Sequence, residues 1–347
     1  MSEENFENRM LEVMNDASLA LMLSVGHRTK LLDKISELPP STSTEIASAS
    51  GLNERYVREW LGSMVTARII DYNVATTKYS LSKQKAKFLT RNGTYNFASS
   101  MQFIPVLAYV EDQIVECFEN GGGVPYESFN RFHDVMAEES QQTVLSALVD
   151  KIIPIIPGLR EKLSSGIIVL DVGCGSGKAI NLLAKTFSKS QCHGFDISDE
   201  TIRIAKRESK RLGLTNTVFE KQDVSKISKE QHYDLITAFD AIHDQADPEK
   251  VLENIRKSLK PEGVFLMQDI KASSKLENNM HHSLAPYLFA VSCLHCMTVS
   301  LAQNGKGLGA MWGKELASQM LKEAGFSIVE IKELPHDPIN YYYIARP

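Results

Sequence analysis

The chain has 347 residues, of which 43% are hydrophobic and 23% are charged, and its formal net charge at pH 7 is -5. These proportions are typical of a globular protein and exclude a strongly basic chain that binds polyanions over its whole surface. Because the length exceeds that of a usual single hydrophobic core, we expect two domains or one domain with a large appendage.

The first sixteen residues are polar and acidic, without the apolar core of a signal peptide or the Arg-rich character of a transit peptide. The five cysteines are an odd number, which fits a reducing compartment better than a disulfide framework. We therefore expect a cytoplasmic protein. Cys293 and Cys296 form a CxxC-like pair, but no second pair stands at zinc spacing, so we predict no metal site.

One apolar stretch, Leu284 to Ala302, approaches the length of a membrane span. It contains Pro286, His295 and several Ser, Thr and Cys residues, which favour a buried helix or a lid over a pocket. We therefore predict no membrane partner.

The N-terminal part of the chain begins with helical patterns. Apolar residues recur at helical spacing over residues 19–38, which predicts one helix that ends before Pro39. Two further helices follow: Ser41 or Thr42, four or three places before Glu45, offers an N-cap for the first, and Asn53 caps the second.

Two β-like runs, residues 69–72 and 78–81, follow these helices and flank a polar turn. This order is that of a winged helix-turn-helix, so we predict an all-α/winged-helix domain over residues 1–94. Its presumed recognition helix carries Glu59 and the apolar Trp60 instead of several polar side chains that could reach DNA bases. We therefore expect this domain not to bind nucleic acid.

The rest of the chain divides into two stretches with different patterns of apolar residues. Residues 95–163 are helical with interruptions, and we predict linker helices that partly cover the active site. Over residues 164–347 short apolar runs alternate with helical stretches, which is typical of a doubly wound α/β sheet, with a helical insertion at about 271–313. The predicted strands are residues 167–172, 191–196, 217–221, 233–239, 263–269, 326–333 and 340–346.

A glycine-rich turn follows the first of these strands. Asp171 stands near the end of the strand, and Gly173, Cys174 and Gly175 form a turn that leads into a helix. Alternate glycines let the backbone turn sharply and let a ligand approach it closely. Asp196 ends the next strand, about 20 residues further on, where an acid can hold two ribose hydroxyls.

The glycine spacing and the preceding acid discriminate between nucleotide cofactors. The turn reads GxGxG, whereas the dinucleotide fingerprint reads GxGxxG. Asp171 would repel a pyrophosphate but attract the ammonium and sulfonium groups of S-adenosylmethionine. We therefore predict S-adenosylmethionine as the cofactor.

Further candidates stand at the carboxyl ends of the following strands, where open α/β sheets bind ligands. Asp223 could accept a hydrogen bond from the adenine amino group, and the backbone N–H of Val224 could face the adenine ring. The complete predicted cofactor set is Asp171, Gly173, Cys174, Gly175, Asp196, Ile197, Gln222, Asp223, Val224 and Phe239.

These segments, in this order, resemble the class I S-adenosylmethionine-dependent methyltransferases. The resemblance covers about residues 166–347 and is carried by DVGCGSG, GFDIS, QDV, AFDAIH and LKPEG. It implies a Rossmann-like sheet of seven strands whose last strand inserts antiparallel beside the sixth. It places Asp171 and Gly173 near the methionine end of the cofactor, Asp196 at the ribose, Asp223 near adenine and Phe239 in the pocket lining.

The whole chain is also similar to bacterial-type methyltransferases with an N-terminal winged helix, some of them labelled transcriptional regulators. RYVREWL at residues 55–61 and GLGAMWG at residues 307–313 carry this resemblance. It implies that the N-terminal domain forms a homodimer.

Methyl transfer from a sulfonium is an in-line displacement, and holding the acceptor close and collinear can supply most of the acceleration. A hydroxyl acceptor also needs a general base. Our catalytic candidate is His243, in the turn after the fourth strand of the sheet; other histidines that could serve are His133, His281 and His282. The predicted substrate pocket contains His133, Met311 and Trp312.

The leading hypothesis is an enzyme that transfers a methyl group to a small molecule held under a helical lid. An alternative is a DNA-binding transcriptional regulator that senses S-adenosylmethionine without catalysis, and a nicotinamide oxidoreductase is a third, more distant one. The sequence leaves the acceptor atom open among oxygen, nitrogen, sulfur and carbon.

Overall fold

The structure is a computed structural model that describes residues 3–227 and 229–347. The chain divides into two compact units, Met1–Ala108 and Tyr109–Pro347. We call them unit 1 and unit 2.

Unit 1 combines helices with one short antiparallel hairpin. Its described elements are α1 (Glu3–Arg28), α2 (Leu31–Glu37), α3 (Ser43–Ser50), α4 (Glu54–Thr66), β1 (Asp71–Asn73), β2 (Lys78–Ser80), α5 (Lys83–Ala86), α6 (Phe97–Ser100) and α7 (Phe103–Ala108).

The predicted caps of α3 and α4 are confirmed. Thr42 accepts a hydrogen bond from the backbone of Glu45, and the Glu45 carboxylate accepts one from the backbone of Thr42, which completes a capping box. The Asn53 side chain caps α4. Behind these helices the buried Trp60 donates from its indole nitrogen to the Met22 carbonyl at 2.8 Å, which ties α4 to α1.

The prediction of one continuous helix over residues 19–38 is wrong. Lys30 has a φ of 61°, in the left-handed region, so α1 ends at Arg28 and α2 begins at Leu31. A lysine rarely adopts this conformation, and apolar residues continue at helical spacing on both sides of it, so the pattern alone did not indicate the break.

Unit 2 contains the large sheet and the helices that cover it. Its described helices are α8 (Glu111–Asn120), α9 (Phe132–Ser140), α10 (Leu159–Ser165), α11 (Lys178–Thr186), α12 (Asp199–Arg211), α13 (Pro248–Ser258), α14 (Leu276–Asn279), α15 (Ala285–Val291), α16 (Met297–Ala302) and α17 (Gly313–Glu323). Its strands are β3 (Ile168–Val172), β4 (Gln191–Asp196), β5 (Thr217–Lys221), β6 (Tyr233–Phe239), β7 (Leu259–Ile270), β8 (Ile328–Leu334) and β9 (Asp337–Arg346).

The seven strands lie in the order β5-β4-β3-β6-β7-β9-β8. Strands β3 to β7 pair in parallel, whereas β9 is antiparallel to both β7 and β8. The predicted fold class, a seven-stranded Rossmann-like sheet behind an N-terminal winged-helix domain, is confirmed, and β4, β5 and β6 have the predicted bounds. Strand β7 begins at Leu259, before the predicted residue 263, because Leu259 already pairs with Tyr233 ahead of a register shift.

Both faces of the sheet are buried, as parallel strands require. One face carries Phe265 and Tyr343 and packs against α13 and α17. The other carries Leu266 and Tyr342 and packs against apolar residues of the segments around α10 and α11. The helices on both faces leave the carboxyl ends of the parallel strands as the edge where a ligand can bind.

One helical run among the described residues, Ala285–Ala302, is long and apolar enough to cross a membrane by length and composition; a second candidate arises if the bent pair 132–155 and 159–165 is counted as one span. A buried helix meets the same criteria. Thr298 of the first run accepts a hydrogen bond from the backbone of Val124, and Ser300 donates one to the carbonyl of Gln245. These contacts favour the predicted buried helix or lid.

The loop before Val124 touches this run through its backbone. A Cβ placed on Gly123 would lie 2.1 Å from the carbonyl oxygen of Thr298 and 2.4 Å from the backbone nitrogen of Ala302. Only glycine fits this approach of two backbones.

Two helical glycines of unit 1 should respond oppositely to substitution by alanine. Gly62→Ala adds a methyl group in open space and should raise the free energy of unfolding by up to about 1 kcal/mol through helix propensity. Gly26→Ala places a Cβ 2.5 Å from the Trp60 ring, and overpacking should lower it by about 1–3 kcal/mol. Urea unfolding in a Trp312→Phe background, where Trp60 is the remaining tryptophan, measures both; stabilisation by Gly26→Ala would contradict this packing.

Candidate active site

The site begins where the strand order reverses. The chain runs outward from β3 to β5 and then returns to β6 on the other side of β3, so β3 and β6 flank a topological switch point. Ligands of open α/β sheets bind in the crevice outside the carboxyl ends at such a point. The predicted glycine turn and the predicted His243 turn follow these two strands.

Each glycine of the turn after β3 has a distinct structural reason. All three have positive φ, and a Cβ on Gly173 would lie 2.6 Å from Ala241, while one on Gly177 would lie 2.6 Å from Ala205 and from the Phe219 ring. Gly175, in contrast, would meet no atom within 4 Å. The outer glycines allow the packing of the turn, and the open space at Gly175 leaves its backbone accessible to a ligand.

Asp171 lies buried at the base of this turn. Thr237 of β6 donates a hydrogen bond to its carboxylate at 2.6 Å, which joins the two strands that flank the switch point. Burial, opposed by this hydrogen bond and assisted by Asp196, raises the pKa of Asp171 to about 7. Such a carboxyl gains from a cationic partner that favours its ionised form.

Asp196 at the end of β4 holds the other side of the turn. Its carboxylate accepts hydrogen bonds from the backbone of Gly175 at 2.8 Å and of Ser198 at 2.8 Å, and from the Thr201 hydroxyl at 3.2 Å. The acid is thereby fixed beside the open position at Gly175. Its place and chemistry fit the predicted ribose contact.

The remaining cofactor candidates differ in which of their atoms are accessible. Cys174 donates its backbone N–H to Phe195, and burial raises the pKa of its thiol, so it is not a nucleophile. Ile197 is 58% exposed and leaves an apolar surface beside Asp196. Gln222 donates its backbone N–H to the carbonyl of Asp196 at 2.9 Å, which holds the segment after β5 against β4.

Asp223 and Val224 have local structural roles at the end of β5. Asp223 accepts hydrogen bonds from the backbone and hydroxyl of Ser225 and forms an ion pair with Lys226. Burial alone would raise the pKa of Asp223, but these two partners outweigh it and hold the pKa below its ordinary value. The Val224 side chain is buried in the core, so only its backbone could face an adenine ring. Phe239 is half-buried at the end of β6.

His243, in the turn after β6, forms a buried dyad with Asp269 of β7. Its Nδ1 lies 2.8 Å from Asp269 Oδ1, and the same carboxylate oxygen accepts hydrogen bonds from Trp312 Nε1 at 3.0 Å and from the backbone of Ile270 at 2.8 Å. The imidazole also hydrogen-bonds the Cys296 thiol. Burial alone would lower the pKa of His243, but Asp269, assisted by Cys296, outweighs burial and raises the pKa well above its usual value.

The predicted pocket residues lie in different surroundings. Trp312 is buried and packs in the core, where it holds Asp269. Met311 packs with Leu288 of the insertion and with the partly buried Tyr287. His133 stacks on Tyr126, with ring centroids 4.8 Å apart.

A cluster of rings that the sequence did not single out stands beside the dyad. We call Tyr126, Phe129, Phe132 and His295 the ring cluster. Phe132 stacks on His295 at 3.6 Å between centroids, while Phe129 and Tyr126 meet His295 edge to face at 4.7 and 5.1 Å. Burial, together with the charges of Asp244 and Asp196, raises the pKa of Tyr126, so its phenol lies within electrostatic reach of both the cofactor side and the His243 side.

Two other histidines proposed as bases have different environments. His281 is exposed, and His282 accepts a hydrogen bond from the backbone of Leu284. Asp269, by contrast, was missed, although an acid at the carboxyl end of a strand was the signal used for Asp171 and Asp196. Within the part of the chain that the structure describes, no grouping of three or more His, Cys, Asp or Glu side chains could hold a metal ion.

Comparisons with known proteins agree with this geometry. An Rv2258c-like winged HTH domain model matches residues 17–91, and a methyltransferase domain model matches residues 163–325. The chain belongs to the methyltransferases that carry an N-terminal winged HTH domain. This methyltransferase uses S-adenosylmethionine as its cofactor, and the open space at Gly175 beside the carboxylate of Asp196 fits that cation.

Curated relatives of this methyltransferase act on different acceptor atoms. It is 26% identical to the ubiquinone biosynthesis O-methyltransferase of Nitrosospira multiformis over 177 residues, which cover 50% of this chain and 69% of that protein. It is 30% identical to the sterol 24-C-methyltransferase ERG6 of Saccharomyces cerevisiae over 183 residues, which cover 51% of this chain and 44% of that protein. The chain thus spans less than half the length of the yeast relative.

A solved structure shares the fold over nearly the full length. Human N-acetylserotonin methyltransferase in complex with S-adenosylmethionine superposes with a TM-score of 0.71 at 17% identity, covering 99% of this chain and 98% of that chain. The non-catalytic regulator considered from the sequence gains no support from these comparisons.

Binding of S-adenosylmethionine should strengthen as the pH rises through about 7. The cationic ligand favours ionised Asp171, whose pKa of about 7 means that below this pH the carboxyl must first lose a proton. The affinity should then fall by up to about tenfold per pH unit. Calorimetry from pH 5.5 to 8.5 measures this dependence, which Asp171→Asn should reduce.

The matched control is Asp223→Asn, because the pKa of Asp223 is already below its ordinary value and Asp223 should stay ionised over this range. An unchanged pH dependence in Asp171→Asn would show that another group titrates.

Proposed function

We propose that this methyltransferase methylates a hydroxyl oxygen of a small molecule, with His243 as the general base and Asp269 as the residue that orients it. The observation that carries the proposal is the 2.8 Å contact between His243 Nδ1 and Asp269 Oδ1 in a buried setting. A hydroxyl acceptor needs a base, whereas an amine or an ionised thiol does not. A buried and oriented imidazole is therefore best explained by an oxygen acceptor.

In this mechanism bound S-adenosylmethionine supplies the electrophilic methyl carbon. His243 removes the hydroxyl proton while the oxygen–methyl bond forms and the carbon–sulfur bond breaks, so that the proton ends on the imidazole. Asp269 stabilises the resulting imidazolium, and Trp312 and Ile270 hold the carboxylate in place. The Cys296 thiol occupies a hydrogen-bonding position on the same imidazole, and the acceptor hydroxyl would replace it there.

The cofactor residues named above are part of the same proposal. Asp171 and the Gly173–Gly175 turn hold the methionine end, and Asp196 holds the ribose. Asp223 is proposed near the adenine, with the Val224 backbone and the apolar Ile197 surface alongside. Gln222 positions this segment through its backbone, and Phe239 and His133 contribute to the pocket lining.

The product identifies the acceptor atom directly. The wild-type enzyme, given methyl-labelled S-adenosylmethionine and a small-molecule cell extract, should yield O-methylated products by mass spectrometry. His243→Ala should reduce the rate of their formation by about 10²–10⁴-fold while cofactor binding stays within about twofold. Labelled products methylated only at nitrogen or carbon, or an unaffected His243→Ala variant, would contradict the proposal.

The pH dependence of the rate distinguishes a base from a residue that only packs. The base must be neutral, and the pKa of His243 is raised above its usual value, so activity should fall as the pH decreases through that raised pKa. Asp269→Asn should move the inflection to lower pH and reduce the plateau rate. Trp312→Phe, which removes one donor to Asp269, should change the profile less than Asp269→Asn does.

We also propose that unit 1 forms a homodimer. The first turns of α1 expose apolar side chains at helical spacing, including Phe6, Met10 and Met14, the last of which is 67% exposed. On α4, in contrast, Arg55 pairs with Glu59, so its charge is compensated within the helix instead of being free for a phosphate. Both observations favour association with a second copy over DNA.

Sedimentation should therefore give a dimer for the wild-type chain and a monomer for the double variant Met10→Glu/Met14→Glu. The matched control is Glu7→Gln/Glu12→Gln, which changes neighbouring polar positions of the same helix. A monomeric wild-type protein at micromolar concentration would contradict the dimer.

A further inference from the structure

His295 is a buried polar side chain whose hydrogen-bonding capacity no described residue uses. His295 is 2% exposed, and both of its ring nitrogens lack a hydrogen-bond partner among the described residues. It lies in a π-helical turn, Ser292–Cys296, between α15 and α16. Such wide turns reorient side chains and often occur at functional sites.

The buried imidazole is neutral but still needs partners. Burial, together with the neighbouring imidazoles of His243 and His133, lowers the pKa of His295 well below its usual value. A neutral imidazole presents one N–H donor and one nitrogen acceptor. An unpaired donor or acceptor in an apolar setting destabilises the protein. Binding of a ligand with a polar group at this position would therefore be strongly favoured.

The rings around His295 determine what shape such a ligand could have. Phe132 covers one face of the imidazole at 3.6 Å, and Phe129 and Tyr126 approach with inter-ring angles of 73° and 82°. These neighbours are flat and mostly apolar. They offer dispersion and edge-to-face contacts to a planar ring, with His295 as the polar point among them.

His295 is also directly coupled to the reacting end of the site. The next residue, Cys296, is the one whose thiol hydrogen-bonds His243. On its other side, the Tyr126 ring contacts His295, and burial together with the charges of Asp244 and Asp196 raises the pKa of the Tyr126 phenol. His295 is therefore the chain neighbour of a residue that contacts the proposed base.

We propose that His295 recognises the acceptor, and that the acceptor is a planar aromatic ring with two polar substituents: one hydroxyl at His243, which receives the methyl group, and a neighbouring group hydrogen-bonded to His295. This inference rests on the proposed O-methylation. It adds the second substituent and assigns specificity to a residue of the insertion.

The test compares two probe acceptors, catechol and phenol, which differ by the one neighbouring hydroxyl. The wild-type enzyme should prefer catechol by about tenfold or more in kcat/KM, because phenol leaves a His295 nitrogen unpaired. His295→Phe keeps a flat ring that can stack on Phe132 but removes both nitrogens. It should abolish the preference, mainly by raising the KM for catechol, and it should change kcat/KM for phenol by less than about threefold.

Two further variants separate recognition from packing. His295→Asn retains a donor and an acceptor and should restore part of the catechol preference. His281→Phe makes the same substitution at an exposed histidine of the same insertion and should leave both acceptors unaffected. Calorimetry with S-adenosylmethionine should give equal cofactor affinity for all of these proteins.

Several results would overturn the inference. These are equal losses on catechol and phenol in His295→Phe, no discrimination by the wild-type enzyme, or no methylation of either probe by a wild-type enzyme that binds its cofactor. Labelled O-methyl products from an extract, formed by an enzyme that ignores both probes, would refute the acceptor class and leave the proposed O-methylation standing. Loss of rate in His295→Phe together with loss of cofactor affinity would show a packing role instead.

Discussion

The carboxylate of Asp269 connects the parts of the site that come from distant places in the sequence. It stands at the end of a central strand, is fully buried, and receives three hydrogen bonds on one oxygen, from the turn after β6, from its own strand and from the loop before α17. A buried charge is tolerated only when it is paired and hydrogen-bonded in this way. Removal of any donor would leave the charge of the Asp269 carboxylate with too few hydrogen bonds. The positions of His243 and Trp312 therefore depend on each other through this carboxylate.

The topology explains why the cofactor side and the acceptor side meet. The reversal of strand order brings the turn after β3 beside the turn after β6, and the Thr237 hydrogen bond to Asp171 fixes the two strands at that point. The proposed cofactor contacts come from short strand ends, whose geometry the sheet imposes. The proposed acceptor contacts come from the insertion and from the helices before β3, whose geometry the sheet does not impose. Relatives that methylate oxygen and relatives that methylate carbon can therefore share the cofactor contacts and differ in the acceptor contacts.

The sequence was sufficient for the sheet, and it predicted the acids that stand at the carboxyl edge of that sheet. Parallel strands are buried on both faces and therefore appear as continuous apolar runs, and the acids that follow them, such as Asp171 and Asp196, lie at one edge by geometry alone. It was not sufficient for His295, because one histidine in an apolar helix has no local signal and its partners, Phe129 and Phe132, are more than 160 residues away. The break at Lys30 was missed for a different reason, since a left-handed lysine leaves no trace in the apolar pattern.

The contact of Gly123 with α16 has a consequence for engineering this enzyme. Surface loops usually accept replacement and insertion, and a glycine-rich loop between two helices is an obvious place to attach a tag or to vary residues in a library. Here the loop backbone touches the backbone of the helix that follows the His295 turn, so even a single added methyl group would push the loop and this helix apart. A segment that looks like a spacer is in effect packed against the helix that follows the His295 turn.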